Sequence, residues 1–252
     1  MLIADRNGMV VSGGWLNPYV TDGLVAMWDG EWNAGGGVHA PNITTWVDLS
    51  GNGLNMISKG EPNFGSNYMT STKVENLWYT DETDLMDGVV ANGAFSYEVC
   101  AESVIGNSNK MLLVWGGSTP EDGFGVRTSC GDPSRVGMGF RIRDNGSLNE
   151  YSDRNTLAVF GSYSDGIDWY IWYHDGLSPE YIKTGGTITS LPIGYYQKRF
   201  AIGFRYGYPP DGPLANGEKV YNVRVYNREL TSEEIAHNYA VDAARFNLPS
   251  VS

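Results

Sequence analysis

The sequence predicts an all-β fold, a two-sheet antiparallel jelly-roll sandwich that ends in one short helix. Three observations lead to this prediction. Turn-forming Asn-Gly and Asp-Gly pairs recur from Asp22 to Asn216, and such pairs supply the positive φ of tight hairpin turns. The runs between them alternate apolar and polar residues, which is the period of a strand. Only one segment, near the carboxyl terminus, has helical periodicity. Many short strands without intervening helices are typical of such a sandwich.

Strict alternation defines the clearest strands. In FSYEVCAES, residues 95–103, the aromatic and aliphatic side chains share one face, and the other face carries Ser96, Glu98, Cys100 and Glu102. The segments 199–207 and 221–227 alternate in the same way. Each is expected to have one buried face and one solvated face.

A complete hairpin is predicted for NTLAVFGSYSDGIDWYIWYHDG, residues 155–176, with its turn at residues 164–166. Asp-Gly in the middle of two alternating runs is a strong hairpin signal.

The helix is predicted over residues 231–245. Thr231 and Glu234 have the spacing of a capping box, and Leu230 and Ile235 have that of a hydrophobic staple. Ile235, with later apolar residues, forms a stripe at near-helical spacing. The helix is expected to pack against a sheet edge, or to seal one end of the sandwich.

Composition limits the function. The 252 residues are 41% hydrophobic, enough for a sizeable core, and the formal net charge is −12. This charge argues against nucleic acid and against an anionic membrane surface as partners. No apolar run is long enough for membrane insertion. Cys100 and Cys130 are too few for a disulfide framework; one bridge is conceivable, but two buried thiols are expected.

The chain is expected to form one domain, residues 22–252, preceded by an arm, residues 1–21. Residues before Asp22 are Gly-rich and irregular. The arm is expected to dock onto a neighbouring protein, so that deleting it leaves folding intact and abolishes assembly.

Two stretches at opposite ends of the domain carry a family resemblance. DGLVAMWDGEWN…TTWVDLSGNGLN, residues 22–55, resembles the opening of laminin-G-like domains of the concanavalin A-like lectin/glucanase superfamily. VYNVRVYNRELTSEEIAHNYAVDAARF, Val220 to Phe246, resembles their ending. The resemblance implies a jelly roll whose concave sheet contacts carbohydrate in many relatives, and a closing helix with a structural role.

The superfamily includes lectins, glycosidases, adhesion modules and virion proteins, so the fold leaves the function open. The ending resembles copies in surface and phage structural proteins of gut bacteria. The amino terminus lacks a basic region followed by an apolar run, as expected of a virion protein without a secretory signal.

Catalysis is not expected. Glycosidases of the superfamily commonly carry E-x-D-x-E on one strand face, and Glu98 and Glu102 have the outer spacing. Cys100 stands where the middle Asp would orient the first Glu, and a thiol cannot replace that charge. The two glutamates are therefore interpreted as solvated residues on an exposed strand face.

Calcium is left open as a cofactor, and none is required. Laminin-G-like domains often bind it through carboxylates in rim loops, the ligands that a hard cation prefers. The loop carboxylates of suitable type have no ligand spacing such as D-x-D-x-D-G, so turn formation is the favoured explanation for each. They are Asp29, Asp48, Asp165, Asp168 and Asp175.

The candidate recognition surface is DWYIWYHDG, residues 168–176. One face of this strand must enter the core, and the other would present Tyr170, Trp172 and His174, rings with polar tips that suit sugar stacking. Tyr206 and Tyr208 would extend the surface at a rim. The equally weighted alternative is that a loop or a neighbouring subunit covers this face.

Three functions are carried forward. The first is a non-catalytic virion surface component, as capsid decoration, head fibre or tail appendage, with host glycans and other virion proteins as partners and a homo-oligomer left open. The second is a secreted carbohydrate-binding module, extracellular or at the bacterial cell surface. The third is a divergent glycoside hydrolase.

Overall fold

The computed structural model describes the fold in segments. They are residues 3–4, 10–11, 16–60, 63–70, 77–81, 83–85, 94–102, 110–115, 124–128, 136–142, 146–152, 157–165, 168–174, 180–187, 199–202 and 218–248. The strands β1, β2, β10–β13 and β16 are described by their backbone; in β14 and β15 the environments of Val159, Gly161 and Trp172 are also described.

Eighteen strands and one helix make up the described part of the chain. The strands are β1 Ile3–Ala4, β2 Val10–Val11, β3 Leu24–Asp29, β4 Thr45–Trp46, β5 Met56–Lys59, β6 Asn63–Phe64, β7 Met69–Thr70, β8 Leu77–Thr80, β9 Ala94–Glu102, β10 Lys110–Trp115, β11 Phe124–Thr128, β12 Val136–Ile142, β13 Gly146–Ser152, β14 Leu157–Asp165, β15 Asp168–His174, β16 Glu180–Thr187, β17 Phe200–Ile202 and β18 Lys219–Tyr226. The helix is α1, Ser232–Phe246.

Two large antiparallel sheets confirm the predicted all-β sandwich. The first, called the helix-side sheet, has the order β16-β15-β14-β9-β18-β7-β6, and β3 also pairs with β18. The second, called the opposite sheet, has the order β13-β12-β11-β10-β17-β8-β5-β4. The hairpin predicted over residues 155–176 is formed by β14 and β15, in which Ser164 lies opposite Trp169.

Aromatic side chains fill the space between the sheets. Trp28 of β3 and Phe200 of β17 have ring centroids 5.4 Å apart. Trp46 and Trp78 of the opposite sheet pack edge to face, 5.8 Å apart, and Phe64 of β6 contacts Trp46 at 5.1 Å. Such tilted and edge-on contacts are the geometry that aromatic rings prefer.

The helix is capped as predicted. The hydroxyl of Thr231 accepts a hydrogen bond from the backbone N–H of Glu234 at 3.3 Å, and the carboxylate of Glu234 accepts one from the N–H of Thr231 at 2.9 Å. Leu230 and Ile235 are both buried. Asn247 ends the helix with φ 57°, a left-handed conformation that Asn tolerates well.

The position of the helix differs from the prediction. Helix α1 lies over the outer face of the helix-side sheet, where its side chains contact the interior strands β9 and β18. It therefore covers a sheet face, not an edge or an end. The physical reason is that β3, β9 and β18 bury side chains on both faces of the sheet. Met27 and Trp28, for example, lie on opposite faces of β3, and both have zero exposure.

The segment before Asp22 belongs partly to the domain. Tyr19 is 4% exposed and lies in the core between helix and sheet. Its hydroxyl donates to Asp242 at 2.6 Å, and the N–H of Val20 donates to Asn238 at 2.9 Å. Residues 17–20 therefore contact the domain, although the boundary was predicted after residue 21. The ladder of β1 and β2 is separate from both large sheets, and the arm stays a prediction for residues 1–15.

Candidate functional site

Glu98, one of the two candidate acids, lies under the helix with no exposed surface. Strand β9 directs its side chain toward α1. Its Oε2 accepts hydrogen bonds from Nε of Arg224 at 2.8 Å and from the amide of Asn238 at 2.6 Å. The interpretation of Glu98 as a solvated glutamate was wrong, because a helix from 140 residues further along the chain covers the polar face of β9.

The guanidinium of Arg224 connects the sheet to the helix. It pairs with Glu98 of β9 and with Asp242 of α1, and all three side chains have zero exposure. The ring of Tyr19 lies 4.3 Å below the guanidinium carbon. Two buried carboxylates thus share one buried cation. Each carboxylate also accepts a hydrogen bond from a neutral group, and these bonds help to offset the cost of burying the charges.

A second guanidinium extends this network toward the solvent. Arg245, near the end of α1, binds Asp29 of β3 through two nitrogens at 2.6 and 2.9 Å. It also binds Glu31 at 2.8 Å, and it lies 3.3 Å from the ring centroid of Trp32. The arginines on α1 and β18 therefore connect the helix, the sheet and Tyr19.

Burial dominates the protonation of these groups. Desolvation raises the pKa of Glu98, and the neighbouring Arg224 opposes that rise. Desolvation and the carboxylate of Asp242 likewise raise the pKa of Tyr19. Glu98 has a raised pKa of the kind found in catalytic acids. Its side chain, however, has no solvent-exposed surface that a substrate could reach.

Glu102, the second candidate acid, is held by different partners. Its Oε2 accepts hydrogen bonds from the Lys219 ammonium at 2.9 Å and from the Tyr221 hydroxyl at 3.0 Å. Its side chain is 30% exposed. Cys100, between the two glutamates, is a buried free thiol, as expected. Each of the two carboxylates is thus bound by its own set of protein donors.

Trp172, the central residue of the predicted recognition surface, is also buried, with 1% exposure. It lies opposite Gly161, which lies opposite Glu98. A Cβ on Gly161 would stand 2.1 Å from the indole ring, so the ring occupies the place of the missing side chain. The burial of Trp172 contradicts the first alternative, an open ring, and agrees with the second, in which this part of the face is covered.

The other residues of that predicted surface lie outside what the structure describes. Tyr170 and His174 belong to β15, of which only the backbone is described at these positions, and Tyr206 and Tyr208 fall between the described segments. Their role in binding stays a prediction.

Two of the five loop carboxylates considered for calcium accept hydrogen bonds from donors of the protein itself. Asp48 accepts from the N–H groups of Met27, Ser50 and Leu54 at 2.9–3.0 Å. Asp29 accepts from backbone N–H groups as well as from Arg245. Donors in these positions compete with a cation, so both residues stabilise turns, the explanation favoured from the sequence.

The remaining three carboxylates leave the calcium prediction open. Asp165 and Asp168 are described by their backbone at the ends of β14 and β15, and Asp175 lies outside the described residues. Within the described segments, no group of three acidic, His or Cys residues is arranged to hold a metal ion.

The outer face of the opposite sheet, unlike that of the helix-side sheet, carries exposed side chains on β4 and β5. Ile57 of β5 is 39% exposed, Thr45 and Lys59 are exposed, and Tyr79 of β8 is half-buried. The guanidinium carbon of Arg199 lies 5.7 Å from the centre of the Tyr79 ring. Exposure on this face falls off toward β17, where Ala201, in register with Tyr79, is buried.

The sequence contains one feature that indicates the buried network, although the strand predictions did not depend on it. Asn238, Asp242 and Arg245 follow at helical spacing on the face of α1 that also carries Tyr239 and Phe246. A polar stripe within the apolar face of a helix requires polar partners beneath it, and Glu98 and Arg224 on adjacent strands were available. Nothing in the sequence placed Arg199 beside Tyr79.

These features define the chain as an all-β sandwich with a closing helix. No protein-family model matches it, and no curated protein matches its sequence. Solved structures do match in fold. A Trypanosoma rangeli sialidase in complex with sialic acid has a TM-score of 0.60 at 17% identity, over 96% of this chain and 36% of the sialidase chain.

Botulinum neurotoxin structures match as well. The type C toxin, whose cell entry depends on two ganglioside molecules, has a TM-score of 0.60 at 9% identity, over 88% of this chain and 51% of the toxin chain. The binding domain of neurotoxin DC in complex with SialylT has a TM-score of 0.57 at 11% identity, over 88% and 52%. The chain spans about a third of the sialidase and about half of the toxin chains. At these identities the likeness shows a shared β-sandwich fold.

No helix of the described segments combines the length and the apolar character needed to span a bilayer.

Proposed function

We propose that this protein is a non-catalytic interaction module that binds glycans. The observation that carries the proposal is the state of the two candidate acids. Glu98 is fully buried in an ion pair with Arg224, and Glu102 is bound by Lys219 and Tyr221. A retaining glycosidase needs two carboxyl groups about 5–5.5 Å apart on either side of the bond to be cleaved, and these two serve other partners.

The structural likenesses support glycan binding as the common theme. The sialidase was solved with sialic acid, the type C toxin interacts with gangliosides, and the DC binding domain was solved with SialylT. The same DC domain was also solved with rat synaptotagmin II, so a fold of this kind accommodates both a glycan and a protein partner. By analogy of fold alone, this chain would bind a glycan.

The setting we propose is the surface of a phage particle, with the chain as a laminin-G-like domain. The resemblance of residues 22–55 and Val220 to Phe246 to such domains supports this, together with the acidic net charge, which suits a solvent-facing protein. Other virion proteins would then be its partners. A secreted or cell-surface module of a bacterium is the alternative setting. Electron microscopy of particles labelled with antibody to the chain distinguishes the two, because labelling of bacterial surfaces but not of particles would refute the virion setting.

The binding experiment is a glycan panel probed with the purified chain, with calcium and with chelator. Binding of at least one glycan class is expected. Absence of binding under both conditions would refute the glycan proposal and favour a purely structural protein. Loss of binding with chelator alone would add a metal site, for which Asp165, Asp168 and Asp175 are the remaining loop carboxylates of suitable type.

The sialidase likeness favours one second function, a divergent glycoside hydrolase. If the panel reveals cleavage of any oligosaccharide, the variants Glu98→Gln and Glu102→Gln test the pair. An unchanged rate in both variants excludes the pair as the catalytic acids. A rate lowered about a hundredfold or more in a folded Glu102→Gln variant would be the scale of a lost acid–base catalyst and would overturn the non-catalytic proposal.

A further inference from the structure

In the described part of the chain, the buried carboxyl groups of the network under α1 outnumber the arginines that pair with them. The side chains of Glu98, Asp242 and Asp29 all have zero exposure. Arg224 and Asp242 form a bidentate pair, and Arg245 and Asp29 form another. The two guanidinium groups are thus matched by two carboxylates, and Glu98 is the third acid.

The two oxygens of the Glu98 carboxyl group have different surroundings. Oε2 accepts two hydrogen bonds, from Nε of Arg224 at 2.8 Å and from the amide of Asn238 at 2.6 Å. Oε1 is buried and accepts none from the described residues. A carboxylate has two equivalent acceptor oxygens, whereas a protonated carboxyl group has one accepting carbonyl oxygen and one O–H group. The observed asymmetry therefore matches the protonated form.

A second buried oxygen on the same face of the sheet also lacks a donor. Nδ2 of Asn222 donates to Asp29 at 2.6 Å, which fixes the orientation of the amide because a carboxylate only accepts. Oδ1 of Asn222 then has no hydrogen bond from the described part of the protein. Asn222 lies opposite Cys100, and Arg224 lies opposite Glu98, so Asn222 and Glu98 are diagonal neighbours on adjacent strands. A proton on Glu98 adds a donor to a region that holds two unmatched acceptors.

The described elements around Glu98 contribute titratable groups that are largely buried. Burial raises the pKa of Tyr19, of the Cys100 thiol and of Tyr226, so these groups stay neutral. Desolvation likewise raises the pKa of Glu98, while Arg224 opposes the rise and Asp242 adds to it. The groups are Cys100 of β9, Arg224 and Tyr226 of β18, Asp29 of β3, Tyr19 before β3, Asp242 and Arg245 of α1, and Glu31 at the exposed rim beside Arg245. Strands β14 and β15 contribute the uncharged Gly161 and Trp172.

We propose that Glu98 holds a proton in the folded protein up to about pH 6, where an exposed glutamate has lost it, and that this proton keeps α1 docked on the helix-side sheet. Loss of the proton at higher pH places a second carboxylate on Arg224, beside Asp242, in a space without exposed surface. Such a charge is stabilised by contact with water. Helix α1 covers Glu98, so rising pH loosens the helix. This inference is independent of the proposed glycan binding.

Infrared spectroscopy of the full chain at pH 6 detects the proton directly. A protonated carboxyl group absorbs at a higher frequency than a carboxylate, outside the amide bands. A band of this kind is expected in wild type. It should shift when glutamate is labelled with carbon-13, and it should be missing from Glu98→Gln. The absence of a protonated glutamate from labelled wild type would overturn the inference, and this result does not depend on the folding of the variant.

Urea unfolding at pH 5 and pH 6 tests the linkage. A group whose folded-state pKa is raised contributes stability that is complete below its unfolded-state pKa and is lost as the pH rises through the folded value. The glutamine in Glu98→Gln carries no such proton. The unfolding equilibrium constant of wild type, relative to that of this variant, is therefore expected to rise about fivefold or more from pH 5 to pH 6. A constant or falling ratio would overturn the inference.

Glu102→Gln is the matched control, because Glu102 lies on the same face of β9 but its side chain is 30% exposed. A rise of the same size relative to Glu102→Gln would overturn the assignment to the buried carboxyl group.

Hydrogen exchange tests the docking of the helix. After correction for the intrinsic rates, the amides of Ser232–Phe246 are expected to exchange faster at pH 9 than at pH 6 in wild type. In Glu98→Gln, their protection should be the same at both pH values. Equal protection of the helix in wild type at pH 6 and pH 9 would overturn the proposed effect of the proton on docking.

Discussion

Arg224 of β18 and Asp242 of α1 form a bidentate ion pair, with N–O distances of 2.9 and 2.6 Å, in which neither side chain is exposed. The pair joins the helix to the interior of a sheet that the chain forms largely from earlier residues. Removing one member of a buried pair leaves the other charge unpaired in the interior. The resulting loss of stability exceeds the stability that the intact pair provides relative to apolar side chains of similar volume.

Asp242→Asn is therefore expected to lower the free energy of unfolding by about 3 kcal/mol. The amide keeps the shape of the side chain but removes the charge that offsets Arg224. Urea unfolding followed by Trp fluorescence measures the change. Glu233→Gln, at an exposed position of the same helix, is the control and should shift stability by about 0.5 kcal/mol or less. Equal stabilities for Asp242→Asn and wild type would contradict the structural role of the pair.

The contact of Trp172 with Gly161 provides a second test. A methyl group at residue 161 would stand 2.1 Å from the indole, so Gly161→Ala is expected to destabilise the protein by about 1–3 kcal/mol through overpacking. Thermal unfolding measures the change.

A double-mutant cycle isolates this contact. Trp172→Ala removes the ring that the new methyl group would meet, so Gly161→Ala should cost less in that background than in wild type. If Gly161→Ala has the same effect with and without the ring, the strain does not come from Trp172.

Truncation tests the domain boundary. Deleting residues 1–15 is expected to leave the melting temperature unchanged, whereas deleting residues 1–20 removes Tyr19 and Val20. Loss of the buried tyrosine and its hydrogen bond to Asp242 is expected to cost about 3 kcal/mol or more.

Scanning calorimetry of the two truncated chains measures the difference. Tyr19→Phe separates the hydrogen bond from the packing of the ring. If the chain without residues 1–20 melts at the wild-type temperature, residues 17–20 belong to the arm after all.

Acid stability should depend on Glu234. Hydrogen bonds from Arg228, and to a smaller extent from the Thr231 backbone, lower the pKa of Glu234 below the usual 4.5, against the effect of burial. A carboxylate with a lowered folded-state pKa stabilises the protein above its unfolded-state pKa and loses that contribution as the pH falls through the folded value.

The melting temperatures of wild type and Glu234→Gln should therefore differ at pH 7 and converge as the pH falls below 4.5 and through the lowered pKa of the folded state. Glu233→Gln controls for loss of a negative charge in the same helical turn. A difference between wild type and Glu234→Gln that stays constant down to pH 3 would show that the capping geometry, and not ionisation, carries the effect.

The local features of the fold were readable from the sequence. Period-two alternation identified β9, β17 and β18, and Asp-Gly marked the hairpin of β14 and β15, because the direction of side chains from a strand is a property of the backbone. The capping box of Thr231 and Glu234 is likewise contained within four residues. The all-β class and the limits of α1 followed from such short-range chemistry.

The tertiary structure alone decided what covers each face. Alternation places Ser96, Glu98 and Cys100 on the same face, but a polar face is solvated unless another element supplies partners for it. Asn238 and Asp242 supply them from a distant part of the chain, and their hydrogen bonds make burial of Glu98 and Arg224 tolerable. Trp172, which one interpretation of the sequence placed on a recognition surface, is buried in a core cluster that also contains Ile235 and Tyr239 of the helix. Access to a surface depends on all elements packed around it, so it is fixed only when the chain has folded.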